Sequence, residues 1–274
     1  MEVGSLEGPG RGVKEFLLSQ SSGVRARSRV LPQGTSLAKV TQQSMHPSSF
    51  PLMEMPGIAF LLAASAGMLN AWTFAHAKTF ATVQSGNVIQ VGYQLVAGEW
   101  EKFFFAAGAV LAFGLGSFFA GAFIAMALRN HGRYSPVIQV ILIGLLVFAL
   151  ILIVTDAWRP EYITWVISFA AGMQGNGFHK IKGMLYGNVA VTLVVQLAFN
   201  YLMQSFFSKK APDGSSNLYN SGLYFLVLLG FAGGGAAGFG LDVLWNGLSI
   251  VGAIFITAIL AVMSVRSKTD PDAV

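Results

Sequence analysis

Amide side chains recur at helical spacing in two parts of this chain. Gln84, Asn87, Gln90 and Gln94 fall within an arc of about 120° on a helical wheel. Asn188, Thr192, Gln196, Asn200 and Gln204 follow one another every four residues. Ser85 adds a hydroxyl beside the first series, and Asn70, Gln174 and Asn176 stand in two further apolar stretches. Uncharged amides among apolar residues cannot face hydrocarbon without leaving donors and acceptors unpaired. They must face neighbouring helices, exposed backbone or trapped water. The first arrangement is interhelical glue, and the last is the lining of a polar cavity that binds a solute. Asn70, Gln84, Ser85, Asn87, Gln90, Gln174, Asn176, Asn188, Thr192 and Gln196 are therefore the candidate solute contacts.

Charged chemistry is sparse. His76 with Lys78 and His179 with Lys180 are the nearest approach to a charged constellation. They either contact an anion or anchor helix ends at lipid headgroups. The chain has no cysteine and four histidines, none at a metal-ligand spacing. Paired intramembrane carboxylates and a phosphate-binding glycine loop in a βαβ setting are also lacking. No catalytic residue, metal or cofactor is expected, and the chain does not read as an enzyme. Ser85 as a nucleophile would need His76 or His179 as its base.

These residues need helices to position them, and composition says where those helices lie. Of 274 residues, 54% are hydrophobic and 11% charged, against roughly 25% charged in a soluble domain. Eight apolar segments follow Pro56, at 57–76, 80–97, 103–128, 136–155, 161–178, 184–207, 221–241 and 244–265. Most reach the ~20 residues that a span requires. The fold class is an all-α polytopic transmembrane bundle, with residues 53–268 as its membrane domain and 269–274 as a tail. The lipid bilayer is the expected partner. Net charge is +5, but much of the basic excess of the membrane domain sits in short loops, so no nucleic-acid binding is inferred.

Residues 1–52 are rich in Ser, Gly, Arg and Gln and read as a disordered extension. Either translation starts at Met45 or Met53, or Arg25, Arg27 and Arg29 belong to a transit peptide.

The two halves echo each other in order. Ala66-Gly67-Met68 returns as Ala171-Gly172-Met173, and Gly86-Asn87-Val88 as Gly187-Asn188-Val189. Gly108, Ala112, Gly116 and Ala120 form a small-residue ladder, matched by Gly230, Gly234 and Gly238. Two four-segment repeats, about 57–155 and 161–265, are expected. The ladders allow close helix approach, within one chain or in a homo-oligomer. Charge placement favours six full crossings, with segments two and six partial or re-entrant and the repeats inverted; segment six is nonetheless long and apolar enough to span, so six to eight crossings stay open. Both termini then lie on the cytoplasmic side.

The run Ala66-Gly67-x-x-Asn70-Ala71-x-x-Phe74, followed by Ser85-Gly86-Asn87, resembles the YoaK-type family of uncharacterised bacterial membrane proteins. That family shows Ala-Gly-x-x-Asp-Ala-x-x-Phe and then Thr-Gly-Asn. Its Gly-x-Gln-Asn run is similar to Gly172-Met173-Gln174-Gly175-Asn176. The resemblance implies a bacterial inner-membrane location and leaves activity open. Asn70 stands where the family carries aspartate, which argues against proton coupling at that position. The functional expectation is a transporter or permease for a small neutral or weakly anionic solute. The alternative is a non-transporting membrane partner assembled through the ladders. Asn87→Leu and Asn188→Leu are expected to spare folding while abolishing uptake.

Overall fold

The computed structural model describes residues 50–130, 132–211 and 214–267. Residues 1–49 of the N-terminal extension and the 269–274 tail lie outside them. Eight α-helices account for most of the described chain: α1 Pro56–Ala77, α2 Gln84–Ala97, α3 Trp100–Arg129, α4 Ser135–Val154, α5 Pro160–Gly177, α6 Val191–Phe207, α7 Asn217–Leu244 and α8 Leu248–Arg266. A 3-10 turn at Leu52–Glu54 precedes α1, and a two-stranded hairpin, β1 Lys180–Ile181 and β2 Met184–Leu185, follows α5. Proline in the first turn starts α1, α4 and α5, where its missing N–H costs nothing. The sixth apolar segment becomes helical at Val191 rather than at 184, because Met184 and Leu185 pair back onto Ile181 and Lys180.

Five helices, α1, α3, α4, α7 and α8, are long and apolar enough to cross a membrane. This is a membrane protein. α1 is its centre, with 72% of its span window buried, against 17% for α3. It packs on α7, α8 and α5.

Lipid supplies no hydrophobic drive between helices, so packing and hydrogen bonds must hold them. Glycine provides the packing. A Cβ at Gly116 would lie 1.9 Å from the Phe169 carbonyl oxygen, and one at Gly172 would lie 2.0 Å from that of Phe113. These two contacts bring α3 and α5 together backbone to backbone. The α1–α7 pair is built alike. A Cβ at Gly234 would lie 2.1 Å from the Ala64 oxygen, and one at Gly67 2.2 Å from the Phe231 oxygen. Both ladders are thus used inside the chain.

The order of these contacts fixes helix direction. Gly230, Gly234 and Gly238 meet Phe60, Ala64 and Met68 in turn, so α7 runs parallel to α1. Gly108 meets Trp165, and Gly121 meets Asn176, so α3 runs parallel to α5. Gln174 donates to the Leu62 oxygen, and the Gly183 N–H to Glu54, so α5 runs opposite to α1. Arg133 on the α3–α4 connection donates to the Ser264 and Val265 oxygens at the end of α8, and Gly247 before α8 meets Ile153 at the end of α4.

It follows that α1 ends on the side where α3 begins, and α5 ends on the side where α7 begins. α2 and α6 each return to the end of the bundle they left. Six helices traverse the bundle, and two segments are re-entrant from opposite ends. Arg129, Arg133, Lys180, Lys182, Lys209, Lys210 and Arg266 gather at one end, and Lys78, Lys102 and Arg159 at the other. The second end also carries Glu99, Glu101 and Glu161, with which Arg159 and Lys102 pair.

The glycine contacts are directly testable. Gly116→Ala and Gly234→Ala each force a methyl into backbone and should lower stability by about 1–3 kcal/mol. Gly233→Ala, which meets nothing within 4 Å, should not. Thermal melting of the detergent-solubilised protein measures the difference. Equal melting of all three variants would show that the close approach is not a constraint.

Candidate functional site

Each re-entrant segment contains backbone that is neither helix nor sheet. Such backbone survives inside a bilayer only when the protein supplies its partners. In the first segment, α1 stops at Lys78, which takes a left-handed conformation with φ 54°. The chain then turns back along α1. The Ala81 N–H donates to Thr73 Oγ1 at 3.2 Å. The Thr82 N–H donates to Asn70 Oδ1 at 3.1 Å, and Asn70 Nδ2 returns a bond to Thr82 Oγ1 at 2.6 Å. Asn70 lies seven residues before the end of α1, so α2 starts roughly 10 Å below that end.

Asn87 closes the same turn from the other side. Its Oδ1 accepts from the Phe80 N–H at 3.3 Å, and its Nδ2 donates to the Phe80 oxygen at 2.6 Å and to Gln84 Oε1 at 2.9 Å. Gln84 Nε2 in turn donates to the Ala81 oxygen at 2.7 Å. Both the N–H and the C=O of Phe80 therefore depend on one buried amide. The expectation that Asn87→Leu spares folding does not fit this geometry, since the replacement leaves a buried N–H and C=O unpaired.

The second segment is held differently. The Tyr186 N–H donates to the His179 oxygen, and Asn188 Nδ2 donates to the Phe178 oxygen. Val189 then packs with Ala66 and Ala171. Ala66 is ten residues into α1, about 15 Å from its start, so the run before α6 reaches the middle of the bundle. Asn188 stands in this irregular run, not on α6. Its sequence match with Asn87 is therefore not a structural one. Gly187 faces the Ala190 oxygen, where a Cβ would come to 2.4 Å, whereas Gly86 meets only the Phe80 ring at 3.6 Å.

Other candidates divide by role. Gln174 is buried and bonded to the Leu62 oxygen at 3.1 Å. Asn176 donates to the Ser117 oxygen at 2.9 Å, and Ser117 Oγ to the Gly172 oxygen at 3.1 Å, joining α3 to α5. Gln90 is half-buried and Ser85 exposed, and neither side chain has a partner among the described residues. Thr192, Gln196 and Asn200 are exposed on the outside of the bundle. The two Lys–His clusters do not meet. His76 stacks on Trp72 at 5.0 Å and Lys78 bonds the Ala75 oxygen at one end. His179, with Nδ1 2.7 Å from the Asn176 oxygen, and Lys180 sit at the other. Opposed half-directions separate them, so they form no single anion site. Among the described residues no group of His, Asp and Glu is placed to hold a metal.

Buried side-chain atoms without partners mark what sequence reading missed. Ser65 Oγ and Ser168 Oγ are buried and unbonded, and the buried Tyr186 hydroxyl has the Asn188 amide beside it. Serine and tyrosine in apolar helices carry no pattern that distinguishes them in sequence. Native proteins seldom leave such atoms unsatisfied except where water or a ligand visits.

Asn70 is the clearest test of the turn. Asn70→Leu leaves the Thr82 N–H and hydroxyl unpaired and should cost about 1–3 kcal/mol for each buried group. Asn70→Asp keeps an acceptor for both and should be distinctly milder. Comparing the two melting temperatures checks this. A leucine variant as stable as wild type would remove Asn70 from its clamping role.

The model of a family described as a protein of unknown function, DUF1275, matches residues 58–263. No curated protein and no solved structure matches the chain. The matched span runs from the first turn of α1 to the last turn of α8 and takes in both re-entrant segments. The chain, with its five candidate membrane spans, belongs to DUF1275, a family whose function is unknown.

Proposed function

We propose that this protein is a transporter or permease for a small neutral or weakly anionic solute, set in a bacterial inner membrane with both termini cytoplasmic. One observation carries the reading. Irregular backbone enters from each end of the bundle, stops at depth and returns as a short helix. Broken helices of this kind are how many transporters present backbone groups and helix ends to a substrate at the bilayer midplane. The paired parallel contacts, α1 on α7 and α3 on α5, support reading the halves as inverted repeats about 57–155 and 161–265. Two such halves can exchange roles as access alternates.

The solute class follows from what lies nearby. The polar groups at depth are amides and hydroxyls, with no carboxylate among them. The end with seven basic residues is assigned to the cytoplasm by the positive-inside tendency. The rival reading, a non-transporting partner protein, relied on the small-residue ladders as a docking face. Those faces are occupied by α1 and α5.

The probe is Tyr186→Phe, which removes a buried hydroxyl lying beside the Asn188 amide and should cost about 1 kcal/mol of stability. An untargeted metabolite screen of deletion against wild-type cells should reveal at least one solute whose uptake falls. Wild-type protein should restore it, and Tyr186→Phe at equal abundance should restore at most about a tenth, matching one lost polar contact. A screen in which no solute differs would end the transport reading.

A further inference from the structure

The two re-entrant helices turn their polar faces in opposite directions. α2 exposes Val88, Ile89, Tyr93 and Val96, an apolar surface suited to lipid. Asn87 is buried and Gln84, Gln90 and Gln94 are half-buried. α6 buries Val194 and Ala198 against the bundle and exposes Thr192, Gln196 and Asn200. Four-residue spacing puts these three on one stripe. None has a side-chain partner among the described residues.

The stripe lies at hydrocarbon depth. α7 has 28 residues, about 42 Å, against a hydrocarbon core of about 30 Å. Tyr201 of α6 stacks on Tyr224, seven residues into α7, with ring centroids 5.8 Å apart. Ser221, four residues into α7, donates to the Ala198 oxygen, so Asn200 lies near the edge of the core and Gln196 and Thr192 one and two turns deeper. Amides cannot be left facing acyl chains at that depth. Water is a poor occupant, because Leu193, Val195, Phe199 and Met203 are exposed on the same helix. An amide is both donor and acceptor, so an identical stripe is its full complement. Two copies about a two-fold axis present identical stripes to each other.

We propose that the outward face of α6 is the interface of a homodimer, in which Thr192, Gln196 and Asn200 of two copies hydrogen-bond across an axis normal to the bilayer. The interface rests on the membrane setting alone, so it stands or falls separately from transport.

The chain has no cysteine, which allows single thiols to be introduced into the full-length protein. In native membranes, oxidation should join Gln196→Cys into a covalent dimer. Phe255→Cys, exposed on α8, should stay monomeric. Single-molecule photobleaching of wild type diluted in phospholipid vesicles should count two subunits. The Gln196→Leu, Asn200→Leu double variant should raise the monomer fraction at least about fivefold, as loss of interhelical amide bonds predicts, with its melting unchanged. Wild type counted as single subunits, equal crosslinking at positions 196 and 255, or an undiminished dimer in the leucine variant would each overturn the proposal.

Discussion

Backbone inside a bilayer must find its hydrogen-bond partners within the protein. Six of the eight described helices meet most of that demand by themselves. The two re-entrant segments cannot, and much of the buried polar chemistry follows from that. Asn70 and Thr73 receive the N–H groups of Thr82 and Ala81, Asn87 holds the N–H and the C=O of Phe80, and Asn188 holds the Phe178 oxygen. Each clamp is an uncharged group on or beside a helix that packing already fixes. The clamps therefore depend on the glycine contacts that bring α1 to α7 and α3 to α5.

The helix ends obey the same demand. Asp242, the one carboxylate of the last two helices, accepts from the Ser249 N–H and hydroxyl at 3.0 and 2.8 Å and so caps the start of α8. Arg133 bonds carbonyl oxygens at the other end of that helix. Negative charge at a helix start and positive charge at its finish both favour the macrodipole. Trp72 Nε1 donates to Asn246 Oδ1 at 2.9 Å, tying the centre of the fold to the α7–α8 connection. None of these groups sits free at mid-depth.

Much of this was legible in the residues. Apolar runs gave eight helices, and four-residue glycine spacing gave faces for close approach. Loop charges favoured six crossings over eight, because lysine and arginine positions respond to topology independently of packing. What was not legible is which way an amide points. The stripe on α2 and the stripe on α6 have the same periodicity, yet one turns inward and the other outward. Periodicity places residues on a common face, but only tertiary contacts say what that face meets. The Gly-Asn pairs misled for a related reason. Gly187 and Asn188 belong to an irregular run whose β-hairpin entry, Lys180 to Leu185, has no counterpart before α2.

The account stands on α2 and α6 returning to the end from which they came. Single cysteines at Asn130, Lys210, Lys78 and Lys102, probed with a membrane-impermeant thiol reagent on right-side-out and inverted vesicles, test this most directly. Asn130 and Lys210 should label from one side, and Lys78 and Lys102 from the other. If Lys78 and Lys102 label from opposite sides, α2 crosses the membrane and the re-entrant architecture is wrong.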